Sequence, residues 1–129
     1  MLSLTNSQIS QKILVVDDNP DLTHILELHL NSLGYDTLPA KSGRQALELA
    51  ASEQPDLITL DITLPDMDGL EVARSIRQNS KTRDIPIIAV TARFLPEDRA
   101  MCIQGGCNDY ISKPFTFRHL AARIENLLK

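Results

Sequence analysis

The chain has 129 residues, a length that suits one domain with a buried core. Its hydrophobic content of 43%, charged content of 23% and formal net charge of −4 are those of an ordinary globular protein. The negative charge argues against nucleic-acid binding by bulk electrostatics, and no apolar run approaches the length of a membrane span. Cys102 and Cys107 lie in no metal-like pattern, which predicts buried thiols in a cytoplasmic protein.

The N-terminal residues 1–11 differ from the rest of the chain in pattern. They are polar, carry no charged side chain before Lys12 and lack the basic start of a secretory signal. We interpret them as a flexible leader. Residues 12–129 contain no repeat, low-complexity tract or linker, so we expect them to form one domain. Strand and helix patterns alternate there, which predicts an α/β fold with a parallel sheet covered on both faces.

The first part of this domain is predicted to run strand, helix, strand. The first strand extends from Lys12 to Asp17, and Asn19-Pro20-Asp21 opens the first helix. Gly34 ends that helix, and Tyr35 to Pro39 is a weak strand at the sheet edge, where proline is tolerated. The apolar residues of this helix fall at helical spacing: Leu22, Ile25, Leu26, Leu30 and Leu33.

The middle of the domain contains its most apolar strand. Ser42 caps a second helix, and the strand Leu57 to Leu60 follows, apolar or β-branched throughout and ending at Asp61. The third helix starts near Asp68-Gly69. The basic residues on or just after this helix are interpreted as a solvated face: Arg74, Arg77, Lys81 and Arg83.

The last part of the domain continues the alternation. A fourth strand ends at Thr91, and a fourth helix spans about Glu97 to Gln104. This helix is short and has few apolar residues, so we expect it to be the least stable element. A fifth strand, Asn108 to Ile111, precedes a last helix that Thr116 caps.

Four of the strand ends carry polar side chains. Because the carboxyl ends of parallel strands meet at one edge of the sheet, we expect these side chains to converge. Three carboxylates in one place repel one another unless a cation joins them, and Mg²⁺ prefers such oxygen ligands. Zinc is a poor candidate, since the group contains no His or Cys. Its members are Asp17, Asp18, Asp61, Thr91 and Lys113.

This combination of side chains is suited to phosphoryl transfer. Asp61, at the end of the central strand, is the candidate nucleophile. The metal, the Lys113 ammonium and the Thr91 hydroxyl can each contact one phosphoryl oxygen. Ala92 is small enough to leave the incoming group uncovered.

In this order and at these separations, the motifs resemble the response-regulator receiver domain of two-component signalling, over about residues 12–129. The resemblance implies a doubly wound, flavodoxin-like fold with a five-stranded parallel sheet of order 2-1-3-4-5 and five flanking helices. The motifs that carry it are Asp17-Asp18, Asp61 with Pro65 and Asp68-Gly69, Thr91-Ala92, and Lys113-Pro114.

The resemblance also implies roles for the acidic residues. Asp61 would be the phosphoacceptor. Asp18 and Asp61 would bind Mg²⁺ directly, together with the backbone carbonyl of Thr63, and Asp17 would act through water. Thr63 and Arg93 stand at positions through which members of this family tune dephosphorylation, so the lifetime of the phosphoryl group stays open.

Further roles are implied at the ends of the fourth and fifth strands. Lys113 would contact the phosphoryl group, and the Lys113-Pro114 peptide bond would be cis, a form open at low cost only before proline. Thr91 and Tyr110 would form the switch pair: Thr91 moves toward the phosphate, and Tyr110 turns inward.

By this resemblance the chain is a signalling switch rather than an enzyme. Its donor would be a sensor histidine kinase or phosphotransfer protein. The surface of the fourth helix, fifth strand and fifth helix would control a downstream protein or a missing output domain, with no direct contact to nucleic acid or membrane.

The class within the family stays open. The segment 106–110 is similar to hybrid-kinase receivers, whereas segments 113–115 and 122–124 are similar to the winged-helix transcription-factor class. That class dimerises through charge pairs, of which this chain keeps Asp109 with Arg123. It has His119 where a Glu would meet Arg99. We therefore expect a monomer, with at most a weak dimer after phosphorylation.

Three other functions fit the sequence less well. A phosphatase of the haloacid-dehalogenase type needs an acid two residues after its nucleophile, where this chain has Thr63. A flavodoxin-like cofactor binder would place a phosphate beside Asp17-Asp18-Asn19, which would repel it. A histidine phosphotransfer module is a helical bundle, which the predicted strands contradict, and we interpret its candidate residues as helix-surface side chains: His24, His29 and His119.

Overall fold

The computed structural model describes residues 10–92 and 95–129, and within them five strands alternate with five helices. The strands are β1 (Lys12–Val16), β2 (Asp36–Ala40), β3 (Leu57–Leu60), β4 (Ile87–Thr91) and β5 (Asp109–Ser112). The helices are α1 (Pro20–Ser32), α2 (Gly43–Glu53), α3 (Gly69–Gln78), α4 (Pro96–Gln104) and α5 (Phe117–Leu128). Most of the predicted leader, residues 1–11, lies outside the described residues.

The strands form one parallel sheet in the order β2-β1-β3-β4-β5, which confirms the predicted doubly wound topology. The three inner strands β1, β3 and β4 are apolar or β-branched and almost wholly buried, as strands covered on both faces must be. β2 lies at one edge, as predicted, and carries Pro39 there.

Alternate residues of each inner strand supply two core layers. In β1, Leu14 and Val16 pack with α2, α3 and α4, whereas Ile13 and Val15 pack with α1 and α5. Two helices therefore cover one face of the sheet and three cover the other. This arrangement leaves the carboxyl edge of the sheet open to loops, which is where open α/β sheets carry their chemistry.

The helix starts follow the side-chain capping pattern that the sequence predicts. Ser42 Oγ accepts a hydrogen bond from Gln45 N of α2, and Thr116 Oγ1 accepts one from His119 N of α5. Asn19 caps α1 in the same way, and Asp68 caps α3. Each of these four caps satisfies a backbone N–H of the first turn. The caps therefore fix where these four helices begin after the strand-end loops.

Some of the apolar residues of α1 lie at the surface. Leu26 and Leu30 are buried, but Ile25 is 43% exposed and Leu33 is 58% exposed. Ile25 lies about 140° around the helix from Leu30, beyond the stripe that the sheet and α5 cover. Leu33 follows the last helical residue and lies past the end of the core. Helical spacing alone therefore does not bury all five of these residues.

α4 has the weakest apolar anchor of the five helices described. Cys102 is its single buried residue, while Met101 and Ile103 are 48% and 43% exposed. Cys102 and Cys107 are buried, as predicted, and form no disulfide bond. Burial raises the pKa of the Cys107 thiol to about 12, so this residue stays a protonated thiol. None of the described helices is long and apolar enough to cross a membrane.

Arg77 does not belong to a solvated face, contrary to the sequence interpretation. Its guanidinium is half-buried and donates hydrogen bonds to the carbonyl oxygens of Gly106, Arg83 and Ile85, at 2.9, 2.8 and 2.6 Å. It also donates to Asn108 Oδ1 at 2.8 Å. The five fixed donors of a guanidinium suit such a set of acceptors. Arg77 therefore joins α3 to the loops before β4 and β5.

We expect Arg77→Met to lower the free energy of unfolding by about 2–3 kcal/mol, because the carbonyl groups that Arg77 satisfies lose charge-assisted hydrogen bonds. Arg74→Met is the matched control, since Arg74 is exposed on the same helix and its loss should cost less than about 0.5 kcal/mol. Urea unfolding followed by circular dichroism measures both values. Equal midpoints for the two variants would contradict the structural role of Arg77.

Candidate functional site

The carboxyl ends of the strands bring charged side chains of opposite sign together. Lys113, just after β5, places its ammonium between the carboxylates that follow β1 and β3. Its Nζ lies 2.8 Å from Asp17 Oδ2 and 3.2 Å from Asp61 Oδ2. Both carboxylates are almost fully buried, whereas the lysine keeps partial contact with solvent. The predicted convergence of these three residues is therefore present in the fold.

Two backbone hydrogen bonds hold the ends of this site in place. Asp61 N donates to the carbonyl of Val16 at 2.9 Å, and Lys113 N donates to the carbonyl of Thr91 at 2.7 Å. The first bond sets Asp61 beside the end of β1. The second sets Lys113 beside the end of β4. The register of the sheet thus sets the backbone positions of Asp61 and Lys113.

The Asp61 carboxylate is held in an environment that disfavours its charge. Burial raises the pKa of Asp61 above its usual value, and the charge of the neighbouring Asp17 adds to this. The Thr63 N–H, which donates to Asp61 Oδ1 at 3.0 Å, and the Lys113 ammonium oppose the shift but do not cancel it. A cation brought to Asp61 would therefore relieve an unfavourable charge.

The Lys113 ammonium is stabilised by the same acids. Burial alone would lower the pKa of Lys113, but the hydrogen bond and charge of Asp17, followed by those of Asp61, raise it above its usual value. Lys113 is thus a fixed positive charge at neutral pH. The pKa of Lys113 and that of Asp61 both rise, because Lys113 has two acidic partners, while Asp61 is buried and also lies beside the like charge of Asp17.

Asp18 completes a group that fits a divalent cation. One carboxylate oxygen from each of Asp17, Asp18 and Asp61 can lie within 4.8 Å of the other two. Asp18 is exposed, whereas the other two are buried, so the group opens to solvent on the Asp18 side. Such a set of hard oxygen donors with room for waters fits Mg²⁺, which keeps part of its hydration shell in proteins.

The loop between β3 and α3 folds tightly beside this group. Thr63 and Asp68 form an isolated antiparallel bridge, and Gly69 N donates to the carbonyl of Ile62 at 2.8 Å. A Cβ atom on Gly69 would lie 2.5 Å from Ile62 Cα and 2.7 Å from the carbonyl oxygen of Asp61. This close backbone approach explains the glycine after Asp68 that the sequence motif contains.

Asp66, at the tip of this loop, has a partner that the sequence interpretation missed. Its Oδ1 accepts a hydrogen bond from Gly43 N at 2.8 Å, and its Oδ2 accepts one from Arg44 N at 3.0 Å. These bonds, that of Arg44 first, hold the pKa of Asp66 below its usual value. The partners lie 22 and 23 residues earlier in the chain, so no local signal in the sequence could reveal them.

The proposed switch residues occupy neighbouring strands. Thr91 is fully buried at the end of β4, and Tyr110 is half-buried on β5, opposite Ala89. The Tyr110 hydroxyl is buried and has no hydrogen-bond partner in the described part of the chain. The Lys113-Pro114 peptide bond is cis, the form that the resemblance implies. Arg93, which the sequence associates with the phosphoryl lifetime, lies outside the described residues.

Comparison with known proteins decides the family. The family model described as the response regulator receiver domain matches residues 13–125 of the chain. The chain belongs to the response-regulator receiver domains. Domains of this family are phosphoacceptor signalling domains of two-component systems. The family assignment from the sequence motifs is therefore confirmed.

Relatives of this receiver domain come from different protein contexts. The alkaline phosphatase synthesis transcriptional regulatory protein PhoP of Bacillus subtilis is 39% identical over 121 residues, which are 94% of the chain but 50% of that protein. The chain thus spans about half the length of this relative.

Solved structures extend the comparison. The receiver domain of sensor histidine kinase PA1611 from Pseudomonas aeruginosa is 39% identical, with a TM-score of 0.85 over 92% of this chain and 98% of that one. It is described with a magnesium ion coordinated in its active-site cleft. Chemotaxis protein CheY4 of Vibrio cholerae is 28% identical, with a TM-score of 0.87 over 92% of this chain and 99% of that one.

The raised pKa of Asp61 predicts that removing its charge stabilises the metal-free receiver domain. Between the lower pKa of the unfolded chain and the higher pKa of the folded chain, the folded state binds more protons, so stability falls as pH rises through this window. At pH values above the window the whole penalty is present. We expect Asp61→Asn to melt at a higher temperature than the wild type at pH 7.

Thermal melts in a chelating buffer, recorded from pH 7 down to about 3.9, the ordinary pKa of an aspartate, measure this difference. The gap between the two proteins should narrow as the pH falls, because the wild-type carboxyl becomes neutral there as well. A wild type that melts at the same or a higher temperature than Asp61→Asn at pH 7 would contradict the unfavourable charge.

Proposed function

We propose that this receiver domain is a phosphorylation-dependent switch that accepts a phosphoryl group on Asp61 from a sensor histidine kinase or a phosphotransfer protein. The position of the Lys113 ammonium, 3.2 Å from Asp61 Oδ2 and 2.8 Å from Asp17 Oδ2, carries this proposal. A lysine already fixed beside the nucleophile can neutralise the charge of an incoming phosphoryl group without first moving from solvent.

The transfer is a displacement at phosphorus. An Asp61 oxygen forms the new O–P bond while the P–N bond of a phosphohistidine breaks, and the electron pair of that bond stays on the imidazole. The Thr63 N–H holds Asp61 Oδ1, so the carboxylate keeps one orientation during attack. Lys113 and the Thr91 hydroxyl would each receive one of the phosphoryl oxygens.

Mg²⁺ would be held directly by Asp18, Asp61 and the backbone carbonyl of Thr63, with Asp17 acting through water. It would supply charge neutralisation on a phosphoryl oxygen during transfer. The fit rests on the three carboxylates that can gather within 4.8 Å and on the unfavourable charge of Asp61. The magnesium described for the related PA1611 receiver supports the same choice of ion.

The output surface would be formed by α4, β5 and α5. α4 is held by one buried residue, so a displacement of Thr91 can shift it at low cost. The buried Tyr110 hydroxyl without a described partner supports a side chain with two positions, since a buried unsatisfied hydroxyl costs about 1–3 kcal/mol.

A weak dimer or a monomer fits this surface better than a tight dimer. The Arg123 guanidinium already bonds both carboxylate oxygens of Asp109 in its own chain. A pair between two copies would have to share or break that contact, and exposed pairs are worth only about 0–1 kcal/mol. We propose a downstream protein, or an output domain in the same protein, as the target. The cytoplasmic location stays a prediction.

The donor protein must approach Asp61 across the surface beside it. An apolar groove of about 580 Å³ borders Lys113 and is lined by Leu22, Ile25, Pro114 and Phe115, among others. Ile25 is 43% exposed here. We propose that an apolar helix face of the phosphohistidine donor docks in this groove, which would bring its imidazole to the open side of the site.

Incubation with acetyl phosphate and Mg²⁺ tests the function. We expect one added phosphoryl group by intact mass spectrometry, and its loss in hydroxylamine, which cleaves acyl phosphates. Asp61→Asn should remain unmodified, because it lacks the nucleophile. Asp18→Ala should be modified only slowly, because it lacks a metal ligand. A phosphoryl group of equal yield in Asp61→Asn would sink the assignment of the acceptor.

The groove predicts a variant that separates the two kinds of donor. Ile25→Glu should slow transfer from an autophosphorylated sensor histidine kinase by about tenfold, the effect of losing one apolar contact at a docking surface. Transfer from acetyl phosphate should be unchanged, since this small donor needs no docking. Leu28→Glu is the control, because Leu28 is 58% exposed on the same helix and does not line the groove.

Reactions with the kinase that carries a labelled phosphoryl group, quenched at successive times, give the transfer rate of each variant. Equal losses in the two variants would show that a charge anywhere on α1 impairs the reaction. An unchanged rate in Ile25→Glu would remove the groove from the donor interface.

A further inference from the structure

The loop that carries Thr63 is held at two points. Its base is fixed by the Thr63–Asp68 bridge and by the contact of Gly69 with Ile62. Its tip is fixed by Asp66, whose two carboxylate oxygens accept one hydrogen bond each from the first two residues of α2. The base is thus closed by contacts within the loop and at the start of α3, whereas the tip is bound to α2.

The residue after Asp66 strengthens the attachment of the tip. Met67 packs against Gly43 so closely that a Cβ atom on Gly43 would lie 2.3 Å from Met67 Cγ and 2.6 Å from Met67 Sδ. Gly43 is buried and is itself one of the donors to Asp66. Successive loop residues therefore contact the start of α2, one by hydrogen bonds and one by packing.

We propose that Asp66 is a positioning residue for Mg²⁺: by tying the loop to α2, it sets where the Thr63 carbonyl lies relative to Asp61. This inference rests on the proposed function, since it concerns the metal of the same site. Asp66 does not itself contact the metal. Asp66 would act by holding a metal ligand in place. Removal of residues that orient metal ligands without contacting the metal lowers metal affinity.

A simpler role for Asp66 is that of a cap for α2, and the chain provides a matched comparison. Ser42 caps the same helix, accepting a hydrogen bond from Gln45 N at 3.1 Å, and both of these residues lie at the helix itself. Loss of either Ser42 or Asp66 should destabilise α2. Of these two losses, only that of Asp66 should also release the loop.

The experiment compares Asp66→Ala, Asp66→Asn and Ser42→Ala with the wild type. Calorimetric titration with MgCl₂ gives the dissociation constant, and melts in a chelating buffer give the stability without metal. We expect Asp66→Ala to raise the Mg²⁺ dissociation constant about tenfold. Asp66→Asn keeps one acceptor oxygen, so its Mg²⁺ dissociation constant should lie between those of the wild type and Asp66→Ala. Ser42→Ala should lower the melting temperature but keep the wild-type affinity.

Phosphorylation by acetyl phosphate supplies a second readout. In Asp66→Ala the rate should fall at limiting Mg²⁺ and return toward the wild-type rate at saturating Mg²⁺, because the nucleophile and Lys113 are intact. A purely structural loss would lower the rate at both concentrations.

Several outcomes overturn the proposal. They are a wild-type dissociation constant in Asp66→Ala, an equal rise in Ser42→Ala, or equal rises in Asp66→Ala and Asp66→Asn, which would assign the effect to charge. If Asp66→Ala does not fold, the Asn variant decides, and a wild-type affinity there rejects the role. A wild type that binds no Mg²⁺ would instead refute the proposed function.

Discussion

The salt bridges of Lys113 with Asp17 and Asp61 are the contacts on which the candidate site depends. Two buried carboxylates at neighbouring strand ends would repel each other, and burial already disfavours the charge of Asp61. One ammonium between them compensates for part of this charge, and the exposed Asp18 adds another negative group. The site therefore carries a surplus of negative charge that a divalent cation can balance, which would leave Lys113 available to a phosphoryl group.

The same fold anchors the segment that follows α4. Arg77 holds the segment after α4 through Gly106 and Asn108, and Asn108 Oδ1 also accepts from Ile87 N at 2.8 Å. The helix itself has one buried residue, and its sequence continues from the strand that ends at Thr91. A movement that starts at Thr91 would thus be taken up within α4 and stopped at the segment that Arg77 fixes.

The sequence predicted most of the fold and the convergence of Asp17, Asp61 and Lys113, because these depend on local pattern. Apolar strands such as Leu57–Leu60, caps such as Ser42, and acids that follow strands are visible in any short window of residues. The roles of Arg77 and Asp66 were missed because they depend on backbone groups such as those of Gly106 and Gly43, which lie 29 and 23 residues away in the chain. The spacing of Ile25 fits the apolar pattern of α1, but spacing alone does not reveal its exposure, which depends on what the neighbouring helix covers.

The relatives of this chain belong to different kinds of signalling protein. A transcriptional regulator and the receiver of a sensor kinase are each 39% identical to this chain, although their protein contexts differ. His119, one of the residues by which the sequence compares classes, is exposed, and it changes which charge pairs can form at that surface. The proposed phosphoryl chemistry rests on side chains at the strand ends, whereas the proposed recognition of a target rests on the surface of α4, β5 and α5.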